Sequence, residues 1–332
     1  MTFVRHLSEE AGKIEKLKRE KPEAWEKMQD YPRKCAEGVP VPIIRLEPEY
    51  KCNFRCSHCS VSEFRLDVAR RILTFEEIRG LYLQADSMGL ARTVISGGEP
   101  LTYNSLSGII AAINPARWYI SIDTNGWLLT HEKAQWLKGL GVDRIQLSID
   151  SLNPKDHDEF RRKPGSFQRC LNALSASQAA GLDIFVQTVV TKSRLYSKEF
   201  IQFLEYFNGR GVSVFVTYGK PVGEWKHKRD DLIGVEDIRW FEKELEPKYN
   251  CFTHLTGQYG REGRCIAVHG MINVTDIGDV LPCLYWYRPI GNIRKEPLKD
   301  IIERAAKTWP FCDTIKTCPI ADRDWLEYFE SH

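Results

Sequence analysis

The chain has 332 residues, with 47 Lys and Arg against 45 Asp and Glu, and its formal net charge of +2 indicates neither nucleic acid nor an anionic membrane as a partner. Hydrophobic residues make up 42% of the sequence, which suits a globular protein with a sizeable core, and no apolar run approaches the roughly 20 residues that span a bilayer. Ten cysteines without a signal-peptide pattern favour metal binding over disulfides, so we expect a cytoplasmic protein.

Residues 1–40 are rich in Lys and Glu and predict a helical N-terminal extension. Pro22 is expected to open its second helix, because proline is tolerated in the first turn, where its missing N–H has no partner to lose. No motif in this stretch indicates a separate activity. We therefore expect it to pack on the domain that follows.

From residue 41 to 235, short β-branched runs alternate with amphipathic stretches. Six runs predict strands: 43–46, 93–96, 119–122, 144–148, 184–190 and 212–216. Helices are predicted near 75–89, 104–114, 130–140, 167–181, 197–210 and 235–247. The alternation predicts an α/β fold with a parallel sheet covered by helices, and six units rather than eight predict a partial (β/α)6 TIM-like barrel. In such barrels the functional residues lie at the C-terminal ends of the strands.

Three cysteines follow the first predicted strand with the spacing C-x3-C-x2-C: Cys52, Cys56 and Cys59. A four-iron cluster usually takes four thiolates, so three would leave one iron open for a ligand. The alternatives are a zinc site, for which two C-x2-C-like pairs would be typical, or three unrelated thiols.

A second motif, Gly-Gly-Glu-Pro at 97–100, ends the second predicted strand. Alone it would indicate a turn. In this order after the three cysteines, it resembles the radical S-adenosylmethionine (SAM) enzymes. The resemblance implies that a [4Fe-4S] cluster binds SAM at its open iron. SAM is then cleaved reductively to a 5′-deoxyadenosyl radical, which takes a hydrogen atom from an unactivated substrate carbon.

The resemblance also implies which residues contact the cluster or SAM, all of them near strand ends. These residues are His58, Gly97, Gly98, Glu99, Pro100, Thr124, Asn125, Ser148 and Asp150. Position and chemistry make Phe54, Arg161 and Gln187 further candidates, for which the alternatives are a loop anchor, a surface charge and a half-exposed strand residue respectively. For His58 the implied contact is its backbone carbonyl rather than its imidazole. Arg161 is preferred over Arg162 as the partner of a carboxylate. The loop 218–225 after the sixth strand is a candidate for the lip of the substrate pocket.

Residues 236–332 are predicted to contain a linker helix followed by a small cysteine-rich module. The spacing C-x12-G-x4-C runs from Cys265 to Cys283 and is followed by Cys312 and Cys318. This resembles the twitch module, a shortened relative of the SPASM module, found after the barrel in one branch of the family. The resemblance implies one auxiliary [4Fe-4S] cluster on these four cysteines, with Cys251 as a competitor for one place. A zinc-stabilised domain is the alternative.

An auxiliary cluster that accepts an electron from the substrate radical would give a two-electron oxidation, so a dehydrogenation is the preferred function. The alternatives are a redox-neutral epimerase or lyase acting on a sugar or small molecule, and a maturase of ribosomal peptides. For epimerisation, Cys170 and Cys251 are the candidate hydrogen donors. Expected partners are a small-molecule or peptide substrate and a low-potential flavodoxin or ferredoxin.

A function from another class, an electron carrier or iron–sulfur scaffold, would keep the cluster without catalysis. The Gly-Gly-Glu-Pro motif and the Thr-Asn-Gly segment at 124–126 argue against it. An electron carrier has no need of a SAM pocket.

Overall fold

One ten-stranded sheet organises the chain. The computed structural model describes residues 11–65, 71–227, 230–256, 265–308, 311 and 318–321. The strands are β1 Ile43–Leu46, β2 Arg92–Ile95, β3 Tyr119–Thr124, β4 Arg144–Ser148, β5 Asp183–Val190, β6 Ser213–Tyr218, β7 Cys251–Phe252, β8 Met271–Val274, β9 Asp279–Leu281 and β10 Gly291–Asn292. Their order is β10-β9-β8-β1-β2-β3-β4-β5-β6-β7.

Two described helices precede β1, and the other helices lie between or after the strands. The helices are α1 Ala11–Glu20, α2 Pro22–Ala36, α3 Phe75–Ser87, α4 Leu106–Ile113, α5 His131–Gly139, α6 Pro154–Arg161, α7 Ser166–Ala179, α8 Lys192–Leu195, α9 Lys198–Asn208, α10 Val235–Glu244 and α11 Leu298–Lys307. None of these described helices has the length and apolar character needed to cross a membrane.

The predicted α/β partial barrel is confirmed. Strands β1 to β6 pair in parallel in sequence order. Four of the described helix starts carry side-chain caps, because Thr74, Thr130, Asn153 and Ser197 each accept a hydrogen bond from a backbone amide in the first turn. Alternate strand residues point into the barrel and their neighbours pack under the helices.

The sheet extends beyond the six predicted strands. β7 pairs in parallel with β6, and β8 pairs in parallel with β1, so the parallel part has eight strands. The sequence did not reveal β7, because two residues are too few to show a periodicity. Strands β8 and β9 form a hairpin through 276–279, and its docking on β1 is a long-range contact that the local pattern does not contain.

Helices α1 and α2 run beneath the N-terminal ends of the strands. Lys21, between the two helices, donates hydrogen bonds to the Trp118 carbonyl (2.8 Å) and pairs with the buried Asp143 carboxylate. The backbone amide of Ala91 donates to the Tyr31 hydroxyl at 2.6 Å. These contacts precede β3, β4 and β2 respectively, so the extension covers this end of the barrel.

Candidate functional site

A cavity of about 260 Å³ lies inside the barrel and opens towards the C-terminal strand ends. Its lining includes six of the cysteines: Cys52, Cys56, Cys59, Cys265, Cys283 and Cys318. The first three come from the loop after β1, and the last three from the segment after β7. Two groups of thiols that lie far apart in sequence therefore face one cavity.

The loop after β1 places positive charge beside its thiols. Arg65 donates to the Cys59 sulfur at 3.1 Å, and an Arg161 nitrogen lies 4.0 Å from the Cys56 sulfur. Burial raises the pKa of Cys52 to about 11 and also raises that of Cys59. Cluster binding must therefore drive their deprotonation, and the two guanidinium groups would stabilise the thiolates that form.

The donor set fits an iron–sulfur cluster. Cys52, Cys56 and Cys59 supply three thiols to a mainly apolar cavity, which leaves one iron of a cubane without a protein ligand. Within the described ranges, no group of three His, Cys, Asp or Glu side chains is placed to hold a metal ion. A cubane takes each thiolate at a different iron, so its ligands need not meet at one ion.

The Gly-Gly-Glu-Pro segment packs against the chain that leads into the cysteine loop. Gly97 has a φ of +105°, and a Cβ on Gly98 would overlap the carbonyl oxygen of Lys51. The Gly98 amide donates to the Glu49 carbonyl at 3.1 Å. Glycine at these positions therefore permits close backbone contact, and the Gly98 amide is engaged within the chain.

Glu99 joins three parts of the site. Its buried carboxylate accepts hydrogen bonds from the Thr124 hydroxyl and the Asn125 amide, both at 2.7 Å. The Asn125 side chain in turn donates to Asn53 in the cysteine loop at 2.9 Å. Burial raises the pKa of Glu99 to about 7, although these hydrogen bonds act in the opposite direction. Pro100 is buried beside it at the start of a short 3-10 turn.

Asp150 and Arg161 form a buried ion pair with an N–O distance of 2.6 Å. Burial raises the pKa of Asp150, but the neighbouring positive charges, that of Arg161 first among them, together outweigh burial, and the net pKa lies below the ordinary value. Arg162 is exposed and lies 3.8 Å from Glu224. Of the two arginines, only Arg161 lines the cavity.

Four further predicted residues line the same cavity. Ser148 ends β4, and Gln187 lies in register beside it on β5. Phe54 is buried in the cysteine loop, and the His58 ring stacks on Phe160 with centroids 4.2 Å apart. Burial lowers the pKa of His58 to about 3, with Arg161 contributing, so its imidazole is neutral.

The C-terminal thiols cluster around a buried lysine. Lys220 donates to the Cys318 sulfur at 3.2 Å, and Cys265 and Cys283 lie close enough to interact electrostatically with Cys318. Burial raises the pKa of Cys283 to about 12. For Cys318, burial acts in the same direction, but Lys220 and His254 outweigh it and lower the pKa to about 6.

The remaining cysteine predictions have different outcomes. Cys312 lies outside the described residues. Cys251 is buried in β7, and the charged neighbour that affects it is Glu246 rather than another thiol. Cys170 is a buried residue of α7, and its thiol donates to the Asn125 carbonyl at 3.2 Å. Among the described residues that line the cavity, neither Cys170 nor Cys251 is present.

Sequence reasoning missed three charged residues of the site: Arg65, Arg194 and Lys220. Arg194 donates to the Thr188 hydroxyl at 2.7 Å and contributes to the electrostatics at Asp150. Lys220 lies in the loop 218–225 that was predicted as the pocket lip, so its position was partly signalled. Arg65 and Arg194 lie outside any motif, and nothing in the local pattern marked them.

The comparisons with known proteins agree with this site. A family model described as the Radical SAM superfamily matches residues 46–207. This segment spans β1 to α9 and contains the three-cysteine loop and the Gly-Gly-Glu-Pro motif. The match assigns residues 46–207 to the radical SAM superfamily. For this segment the family implies SAM and a [4Fe-4S] cluster as cofactors.

Individual relatives differ in what they are named for. The AdoMet-dependent heme synthase of Methanosarcina barkeri is 29% identical over 292 residues, covering 79% of this chain and 82% of its own. The GTP 3′,8-cyclase of Rhizobium etli is 28% identical over 238 residues, covering 70% and 66% respectively. Among solved structures, Streptococcus suis SuiB bound to the precursor peptide SuiA aligns with a TM-score of 0.64 at 16% identity, over 85% of this chain and 69% of that chain.

The buried Glu99 predicts a pH-dependent stability in the protein without SAM. Because its folded pKa is about 7 against an ordinary 4.5, the folded state binds more protons than the unfolded state between these values. Raising the pH from about 4.5 to 7 therefore removes about 3 kcal/mol of stability. We expect Glu99→Gln to abolish this part of the pH dependence, as measured by denaturant unfolding across that range.

The exposed Glu199→Gln on α9 is the matched control and should follow the wild-type curve. Parallel curves for wild type and Glu99→Gln would show that Glu99 does not titrate in this window.

Proposed function

We propose that this enzyme oxidises its substrate by two electrons, with SAM bound beside Cys52, Cys56 and Cys59 and an auxiliary cluster bound by the C-terminal cysteines. One observation carries the proposal: Cys265, Cys283 and Cys318 line the same cavity as the first three thiols. Cys312 is proposed as the fourth auxiliary ligand. We also propose that the chain divides into a helical extension (1–40), a radical SAM barrel (41–235) and a twitch-like module with its linker helix (236–332).

The protein's own groups have separate tasks in this proposal. When bound, the first cluster and SAM supply a 5′-deoxyadenosyl radical that takes a hydrogen atom from carbon, and the auxiliary cluster supplies an electron acceptor. Glu99, held by Thr124 and Asn125, would accept hydrogen bonds from the SAM amino group. Arg161, oriented by Asp150, would bind the SAM carboxylate.

The walls of the cavity must also protect a reactive species. Phe54, His58 and Trp225 contribute aromatic rings to the cavity lining, and the neutral His58 contacts both Phe160 and Trp225. Such walls exclude water and stray hydrogen donors while they orient the target carbon. We infer that this is the purpose of the apolar lining.

The buried position of Lys220 beside Cys318 is a second observation in favour of the auxiliary cluster. A buried ammonium is costly unless it meets negative charge, and its nearest sulfur is Cys318. Hydrogen bonds to ligating sulfurs are among the features that set the potential of a cluster. A cation at this position suits a cluster that accepts an electron.

The alternatives receive less support. Cys170 and Cys251 lie away from the cavity lining, so a thiol-mediated epimerisation has no donor among the described cysteines outside the two proposed ligand groups. The likeness to SuiB concerns the fold. The similarity to an AdoMet-dependent heme synthase spans 79% of this chain and makes a tetrapyrrole the first substrate class to assay.

The radical SAM assignment predicts product formation in a simple assay. Protein reconstituted without oxygen and treated with dithionite should convert SAM to methionine and 5′-deoxyadenosine, measured by chromatography. Replacing Cys52, Cys56 and Cys59 together with Ala should abolish it, whereas Cys35→Ala, outside the cavity lining, should not. Absence of 5′-deoxyadenosine from fully reconstituted wild type would contradict the assignment.

The auxiliary cluster is tested by iron and sulfide content. In the Cys52/Cys56/Cys59→Ala triple variant we expect about four irons per chain to remain, because the C-terminal cysteines hold their own cluster. Adding Cys265→Ala and Cys283→Ala should remove them. If the triple variant already lacks iron, the C-terminal module is a zinc site or a plain fold, and redox-neutral chemistry becomes the better explanation.

A further inference from the structure

Arg144 is a buried cation whose nearest described neighbours are aromatic rings. It begins β4, lines the cavity, and is only 8% exposed. Its guanidinium lies 3.9 Å from the centroid of the Phe185 ring and 4.9 Å from that of Tyr119. Its Nε atom has no hydrogen-bond partner, and no ion pair is formed with Arg144 within the described part of the chain. Leaving a buried charge in this state is costly, unless a ligand completes the site.

The nearby carboxylates are engaged elsewhere. Asp183, beside Arg144 on β5, accepts a hydrogen bond from the Tyr119 hydroxyl at 2.7 Å. Asp143, the preceding residue, pairs with Lys21 at the base of the barrel. Neither carboxylate neutralises the Arg144 guanidinium.

Two other cations of the cavity have carboxylate partners. Arg45 pairs with Asp123, and Arg161 pairs with Asp150, both at 2.6 Å. Six Lys or Arg side chains line the cavity against two carboxylates, so the cavity as a whole has an excess of positive charge. Arg144 contributes to that excess in the barrel interior, because it forms no ion pair with another described residue.

We propose that Arg144 binds a carboxylate of the substrate at the N-terminal end of the cavity. The inference rests on the proposed function, because it names the class of molecule that this same site would accept. The two rings fix the plane of the guanidinium, and its fork of donors matches a planar carboxylate in a bidentate arrangement. A single carboxylate charge is what one guanidinium can balance.

The position also sets the shape of the substrate. Ser148 at the SAM end lies four positions after Arg144 on β4, which corresponds to about 13 Å along a strand. Helices α1 and α2 cover the barrel below Arg144, so a ligand reaches it through the cavity from the C-terminal side. The substrate is therefore an elongated carboxylic acid whose reacting carbon lies near Ser148 and whose carboxylate lies at Arg144.

The test compares a small aromatic acid with its neutral analogue. Benzoate and benzamide share shape and aromatic surface, and only benzoate carries the charge that Arg144 would bind. Thermal unfolding of the reconstituted full-length enzyme with SAM is measured with no addition, with benzoate, with benzamide and with inorganic phosphate. The variants are Arg144→Met, Arg144→Lys and the control Arg210→Met, whose guanidinium stacks on Tyr206 at the surface.

In the wild type, benzoate should raise the unfolding temperature more than benzamide or phosphate does. Arg144→Met should weaken benzoate binding at least tenfold and leave the benzamide effect unchanged. Without ligand, Arg144→Met should raise the unfolding temperature by about 2–4 °C, because it removes an unpaired buried charge. Arg144→Lys should retain part of the benzoate effect, and Arg210→Met should behave like wild type.

Three results would overturn the proposal. The first is equal stabilisation of wild type by benzoate and benzamide, or none by either. The second is a lower unfolding temperature for Arg144→Met, combined with a benzoate effect that is unchanged in both Arg144→Met and Arg144→Lys. This result would show that Arg144 only stabilises the fold by packing between two rings. The third is stronger stabilisation by phosphate than by benzoate. Formation of 5′-deoxyadenosine by the same wild-type preparation separates these results from a failure of the radical SAM assignment.

Discussion

The carboxylate of Glu99 connects the parts of this site that the chain supplies from separate places. It is buried at the end of β2, and it accepts hydrogen bonds from Thr124 and Asn125 at the end of β3. The Asn125 side chain in turn donates a hydrogen bond to Asn53 in the cysteine loop. A carboxylate in such a position is costly to bury, and its hydrogen bonds offset that cost only in this one arrangement. The strand ends and the cysteine loop are therefore held together before any cofactor binds.

Positive charge is distributed around the thiols in a consistent way. Arg65 and Arg161 lie beside the first group of cysteines, and Lys220 lies beside Cys318 in the second. Metal–thiolate centres carry negative charge, and buried charge is tolerated when opposite charge is near. Arg144 differs, because its surroundings are aromatic rings. Arg65, Arg161 and Lys220 therefore lie beside proposed cluster ligands, whereas Arg144 faces the open cavity.

The local sequence was sufficient for the six central strands, because each is a short β-branched run between amphipathic stretches. It also predicted the three-cysteine loop and the Gly-Gly-Glu-Pro segment, since both are contiguous motifs. It did not reveal β7 and β8 at the edges of the parallel sheet, whose pairing depends on contacts across the whole chain. Nor did it reveal Arg65 or Arg194, or the special position of Arg144. Their roles follow from burial and from neighbours that are distant in sequence.

The most direct test of the radical SAM account is electron spin resonance of the reduced, reconstituted enzyme, recorded with and without SAM. The Cys265/Cys283→Ala variant isolates the signal of the first cluster. The account predicts that SAM changes this signal, because SAM binds the open iron beside Cys52, Cys56 and Cys59. A signal that SAM leaves unchanged would contradict the account and would favour an electron carrier or iron–sulfur scaffold.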